Sequence, residues 1–166
     1  KDLKKIAAKD YNGNPCCSFF GSGGAGHYIK MIHNGIEYVE MQLLAEVFEL
    51  LMNYFKLDFE LVQKELEKWQ NSSSDSYLLR ITSTILKYYD SEGSNFISNI
   101  LDQASNKGTA LWATISGAAL GSPNSLMTAA LHARYTSVMK SKRVEFSKIS
   151  NFTKKESSIS LKQLKK

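Results

Sequence analysis

The segment GSGGAGHYIKMIHNGIEYVEMQLLAEVFELLMNYFK, residues 21 to 56, decides the fold. It holds no proline, and beyond Ala25 only Gly26 and Gly35 lack a side chain, so it is expected to form one very long helix from about 25 to 56. At the helical repeat, Ile29, Ile32, Ile36, Val39, Leu43, Val47 and Leu50 share one stripe, which is expected to face a core. Lys30, His33, Asn34, Glu37 and Tyr38 share a second, polar face. Beyond Glu40 that face also turns apolar through Met41, Leu44, Ala45, Phe48 and Leu51, which predicts later turns buried nearly all round.

Shorter helices flank this one. Asp58 is a suitable N-cap for a helix running to about Gln70, and NSSSDS then marks a turn. Further helices are expected at about 76–89, 94–104, 109–120 and 123–143, the last with Ser122 capping and Pro123 at its first position. Upstream, DLKKIAAK reads as the end of a helix and PCCSFF (residues 15–20) as a short strand, with the turn Asn12-Gly13-Asn14-Pro15 between them. The expected class is all-α, a multi-helix bundle around one long central helix, preceded by that residual helix and strand. The orphan strand and the absence of an initiating methionine suggest a piece of something larger.

With 166 residues, the chain suits one domain with a sizeable core. Its 43% apolar, 11% aromatic and 22% charged residues, with two prolines, are those of an ordinary globular protein and exclude a disordered or collagenous class. No apolar run approaches the ~18 residues of a membrane span, and no signal-like apolar stretch follows the lysines at the start, so a soluble, cytoplasmic protein is expected. The net charge of +5 is unevenly spread. Residues 1–139 carry 12 Lys and Arg against 14 Asp and Glu, whereas residues 140–166 carry 9 against 2. The basicity is therefore a property of the tail, and the serine- and lysine-rich segment 147–166 reads as a solvated, mobile terminus, with polyanion binding as the alternative. The two cysteines, Cys16 and Cys17, are adjacent and have no partner elsewhere in the chain, and the three histidines are scattered, so neither a disulfide framework nor a structural metal is expected.

Spacings of three, four, seven and eight residues set Lys30, His33, Asn34, Glu37 and Tyr38 side by side over roughly three helical turns. An amine, an imidazole, an amide, a carboxylate and a phenol beside a glycine-rich segment make a set able to exchange protons with a ligand. Singly, Lys30 or Glu37 reads as a solvated helix residue; the combination is what suggests a site. Asn106-Lys107-Gly108-Thr109 opens the helix carrying Trp112, and unpaired N–H groups at a helix start suit an anion, although an ordinary threonine N-cap gives the same sequence. Arg134 sits in the otherwise apolar helix LMTAALHARYTSVM, where a guanidinium calls for an anion or a structural carboxylate partner.

In order, these stretches resemble the 6-phosphogluconate dehydrogenase family. Gly23xxGly26xxxLys30xxxAsn34 is similar to the catalytic signature of the wider β-hydroxyacid dehydrogenase superfamily, and HNGIEY (His33 to Tyr38) resembles the phosphogluconate branch. KGT (Lys107 to Thr109) with ARYTS (Ala133 to Ser137) resembles that branch's phosphate-binding positions, and the likeness runs from residue 1 to about 145. The resemblance implies oxidation of 6-phosphogluconate with NADP, loss of CO2 to give ribulose 5-phosphate, and a homodimer in the full-length protein, with neither nucleic acid nor membrane as partner. It implies Lys30 as the base and Glu37 as the acid that protonates the enediol carbon. His33 and Asn34 would hold hydroxyl and carboxylate groups of the substrate, and Tyr38, Lys107, Thr109 and Arg134 its 6-phosphate.

Two departures accompany the likeness. Ala110 and Leu111 stand where the family has a glycine and a lysine in KGTGKW, and no GxGxxG opens a complete βαβ unit. The expected organisation is therefore residues 1–20 as the remnant of a dinucleotide-binding domain, 21–146 as a partial helical substrate-binding and dimerisation domain, and 147–166 as the basic tail. NADP would be bound mainly by the missing domain, and the isolated chain would be inactive. The alternatives are another β-hydroxyacid dehydrogenase acting on a non-phosphorylated substrate, or a non-catalytic helical interaction module with a polyanion-binding tail.

Overall fold

A computed structural model describes residues 2–149. The elements are α1 (Asp2–Ile6), α2 (Ala25–Glu49), α3 (Phe59–Trp69), α4 (Tyr77–Ile85), α5 (Thr109–Ala119), α6 (Ser125–Val138) and α7 (Lys140–Ile149). The fold is all-α, with α2 as its spine. No glycine or proline breaks α2 after Gly35, and it runs directly into a π-helical turn, Leu50–Tyr54, in which the Phe55 amide donates to Leu50 O at 3.0 Å. The helix ends where Leu57 N–H reaches back to Leu51 O at 3.0 Å across Lys56. Lys56 has φ +58°, so this lysine holds the left-handed position that glycine normally fills at a helix terminus.

Two cores hang on this spine. Around its C-terminal half, Leu51 packs with Val62 and Leu66 of α3 and with Leu79 and Leu86 in and just after α4, flanked by Phe48, Phe55, Phe59 and Trp69. The helices supplying it start as expected: Asp58 Oδ1 accepts from Leu61 N–H at 2.8 Å, and Ser76 Oγ accepts from Leu79 N–H at 3.0 Å. The second core joins Tyr38 of α2 to Ala110 of α5 and to Ala130 and Leu131 of α6. Here the side chains are small and the helices close. A Cβ on Gly35 would lie 2.8 Å from Met127 Cε, and one on Gly117 would lie 2.9 Å from Asn124 Cγ.

The expected core-facing stripe of α2 is only partly buried. Ile29, Ile36 and Leu43 are 44%, 58% and 50% exposed, whereas Val39 and Val47 pack against the two cores and Gly35 and Tyr38 are buried. The inward face is shared with Gly35, whose missing side chain leaves room for Met127 of α6. The later turns are likewise not buried all round: Leu51 is buried, Met41, Leu44 and Phe48 are half-buried, and Ala45 is exposed.

Several expected boundaries also move. PCCSFF forms no strand: one isolated bridge pairs Lys9 with Pro15, and Phe19 is 83% exposed, since no second strand is there to receive its backbone groups. The expected helix at 94–104 shrinks to a 3-10 turn, Phe96–Asn99, after the Asp90 carboxylate collects the amides of Glu92 and Ser94 in a turn. The helix expected to Tyr89 stops at Ile85. The last helix begins at Ser125, with Asn124 rather than Ser122 as N-cap and Pro123 just outside it, and it breaks at Met139 before α7. The Asn124 side chain is instead spent on α5, donating to Ala113 O at 3.2 Å. Most of segment 147–166 lies outside the described residues.

α7 is clasped to the loop before α5. Asp102 takes Lys140 Nζ at 2.5 Å and both Arg143 terminal nitrogens at 3.0 Å, and these hydrogen bonds bring its carboxyl down to about 2. A depressed carboxylate contributes docking above its ordinary pKa and loses it as pH falls through the lowered value. Hydrogen exchange of the α7 amides should therefore be pH-independent in its protection above about pH 4 and lose protection between about 4 and 2, and Asp102→Asn should show that loss already at neutral pH. In the larger core, Leu66→Ala should lower stability by about 2–5 kcal/mol, read from denaturant midpoints at unchanged slope.

Candidate active site

The first turns of α2 face the start of α5 across an open cleft of about 410 Å³, lined by His27, Tyr28, Lys30, Asn34, Thr109 and Trp112 among others. Helical spacing places His27, Lys30 and Asn34 on one side, and Thr109 with Trp112, three residues on, forms the other. Tyr28 OH and Ser116 Oγ, 2.8 Å apart, pin the two helices together. Lys30 Nζ stands 3.1 Å from His33 Nδ1, which lies 3.7 Å from Glu37 Oε1, so amine, imidazole and carboxylate form a chain up one face of the helix. His33 and Glu37 remain about half exposed and open to a ligand.

One turn further along α2, Tyr38 belongs to a second group. The Arg134 guanidinium lies over its ring, 3.8 Å from the centroid, and donates to Ser105 O at 2.9 Å and to Met41 Sδ at 3.3 Å. Arg134 is thus held without a carboxylate, by a ring face, a carbonyl and a thioether, and two of its five N–H groups are engaged among the described residues. The Tyr38 hydroxyl donates to Asn106 Oδ1 at 3.4 Å. Asn106 Oδ1 also takes Gly108 N–H at 2.8 Å, and Asn106 Nδ2 donates to Tyr135 OH at 3.2 Å. Lys107 is exposed and has no hydrogen bond or ion pair among the described residues.

The segment Lys107-Gly108-Thr109 joins the two groups. Gly108, at φ +96°, is the N-cap of α5, and its turn brings Thr109 to the Lys30 cleft while Asn106 stays beside Tyr38. All eight residues singled out in the sequence therefore sit on α2, α6 or this turn: Lys30, Asn34 and Thr109 in one cleft, Tyr38 and Arg134 stacked, His33 and Glu37 between them on α2, and Lys107 on the turn. Sequence reading passed over His27, Tyr28 and Trp112 as cleft walls and Asn106 as a connecting side chain. The spacing of His27 from Lys30 and of Trp112 from Thr109 carried the first signal, and an asparagine two residues before a glycine in a turn carried the second.

An all-helical domain whose long central helix supplies both a polar row and one wall of a cleft is the class that this fold and site define. Residues 26–166 match the family described as "6-phosphogluconate dehydrogenase, C-terminal domain", and the chain belongs to that family. It is 45% identical over 147 residues to the "6-phosphogluconate dehydrogenase, decarboxylating" of Shigella boydii, covering 89% of this chain and 33% of that protein. The protein of the same description from Escherichia coli (strain K12) is also 45% identical over 147 residues, with 89% of this chain and 31% of that protein covered. Among solved structures, Plasmodium falciparum 6-phosphogluconate dehydrogenase, described in its apo form, with its cofactor NADP+ and with its substrate 6-phosphogluconate, superposes with a TM-score of 0.84 at 36% identity over 96% of this chain and 34% of that one. The chain spans about a third of the length of these relatives.

The turn geometry has a measurable consequence. Because Gly108 is in left-handed space, Gly108→Ala should cost about 1–2 kcal/mol and lower the thermal midpoint, although the nearest side-chain atom to the new methyl, Trp112 Cζ2, would be an unstrained 3.7 Å away.

Proposed function

We propose that this chain is the substrate-binding part of an enzyme that oxidatively decarboxylates 6-phosphogluconate to ribulose 5-phosphate and CO2, with reduction of NADP. The observation that carries the reading is the convergence of Lys30, Asn34 and Thr109 on one cleft, with His33 and Glu37 alongside and the Tyr38–Arg134 stack beyond. Support comes from relatives with that named activity.

In this reading the substrate lies along α2, its reacting carbons near Lys30 and its phosphate toward Tyr38, Lys107, Thr109 and Arg134. NADP, when bound, accepts the hydride from the substrate's C3. Lys30 as the free amine takes the C3 hydroxyl proton as that hydride leaves. The resulting ammonium donates to the new keto oxygen and draws in the electron pair released when the bond to CO2 breaks. Glu37 as the carboxylic acid then gives a proton to the enediol carbon. His33 and Asn34 hold hydroxyl and carboxylate groups in register, and the phosphate grip orients the substrate from its unreactive end.

Within the longer protein, residues 1–20 close a dinucleotide-binding part that holds most of the NADP, and residues 21–146 form part of the helical substrate domain. The exposed stripe Ile29, Ile36 and Leu43 supports pairing into a homodimer. No helix among the described residues is long and apolar enough to cross a membrane, and the enzyme is proposed to work in the cytoplasm.

The test is NADPH formation coupled to CO2 release from 6-phosphogluconate by the full-length protein, beside Lys30→Ala and Glu37→Ala. Each variant should lose about 10²–10⁴-fold in kcat, and the 166-residue chain alone should form no NADPH. An inert full-length protein, or variants that keep the parent's rate, would overturn the assignment.

A further inference from the structure

The Asn106 side chain touches three separate parts of the site: Tyr38 on α2, the Gly108 amide at the start of α5, and Tyr135 on α6. We propose that Asn106 is a positioning residue that holds the Tyr38 hydroxyl and the Lys107-Gly108-Thr109 turn in the arrangement that receives the phosphate of the substrate. The inference rests on the 6-phosphogluconate reading and adds to it the part that assembles the anion grip.

The orientation of the amide follows from its partners. Gly108 N–H can only donate, so the atom 2.8 Å from it is the amide oxygen, and the amide nitrogen must then face Tyr135. An amide oxygen has two lone pairs, and here they receive Gly108 N–H at 2.8 Å and Tyr38 O–H at 3.4 Å. The two bonds are unequal. The short one closes the turn that presents Lys107 and Thr109; the long one parks a hydroxyl. When a phosphate oxygen arrives, Tyr38 swings its proton to a stronger, charged acceptor, and Asn106 Oδ1 is left satisfied by Gly108. Releasing the hydroxyl therefore strands no polar atom, which keeps the cost of the exchange low.

The same segment is fixed on either side. Ser137 Oγ accepts from Ala104 N–H at 3.0 Å, and Arg134 donates to Ser105 O at 2.9 Å while stacking on Tyr38. Asn106 is the link between this α6 anchorage and the turn. Without its side chain, Tyr38 and the turn would each have to be ordered by the substrate, and the ordering cost would appear in substrate binding.

The experiment uses the full-length enzyme and compares wild type, Asn106→Ala, Tyr38→Phe, the double variant, and Tyr135→Phe, with thermal midpoints measured for all. Tyr135→Phe removes the third leg of the amide without altering any group proposed to meet substrate. For Asn106→Ala, KM for 6-phosphogluconate should rise about tenfold or more with kcat within about threefold of wild type, whereas any turnover of unphosphorylated gluconate should be unaffected. The double variant should lose less than the product of the two single effects, because in Asn106→Ala the Tyr38 hydroxyl already lacks the group that holds it, and Tyr135→Phe should give a smaller KM rise of the same kind. Equal losses on both substrates, a fall in kcat without a KM change, or multiplicative effects in the double variant would overturn the positioning role. Wild-type enzyme that fails to prefer 6-phosphogluconate over gluconate would instead overturn the reading on which it rests.

Discussion

Gly35 is where α2 and α6 come together, and a methyl group there would lie 2.8 Å from Met127 Cε, so a side chain at this position would force Met127 to repack. The consequences spread along α2. With α6 this close, the Tyr38 ring is buried against Ala110, Ala130 and Leu131, and Arg134, one turn on from Ala130, is carried over the ring face. The packing leaves Ile29, Ile36 and Leu43 of the apolar stripe exposed while Val39 and Val47 join the cores.

The arrangement divides labour along one helix. Its C-terminal half belongs to a conventional leucine-rich core with α3 and α4, and its N-terminal half to a core of alanines in which backbones lie near each other. The Tyr28–Ser116 contact at 2.8 Å bridges α2 and α5 in this half. The cleft lies between the first turns of α2 and the start of α5, with Gly24 on its lining. Beside it on α2, His33 and Glu37 stay half exposed, which suits residues proposed to exchange protons with a ligand.

The loop before α5 ties the local chemistry to the far end of the molecule. Asp102 clasps Lys140 and Arg143 of α7, Ala104 and Ser105 are bonded to α6, and Asn106 reaches Tyr38, all within five residues. Because the end of the segment expected to be helical is irregular, Asp102 O accepts from Arg143 of α7 and Ala104 N–H donates to Ser137 of α6.

The sequence alone was sufficient for the long helix, for the cap at Asp58, for the all-α class, and for the row Lys30, His33, Asn34, Glu37 and Tyr38, because these depend on periodicity and on short-range hydrogen bonds. It also pointed to the Lys107-Gly108-Thr109 turn and to Arg134 as a charge in need of a partner. Tertiary structure decided the rest. Which residues of α2 lie inward depends in part on Gly35 meeting Met127, residues nearly a hundred positions apart, and an apolar stripe cannot announce which of its members will go uncovered. PCCSFF has strand composition but no second strand, and strand pairing is a long-range property. That Arg134 is satisfied by a ring face, a carbonyl and a sulfur, and that Asn106 joins three helices, follow only from chain elements brought together by packing, where local propensity carries no information.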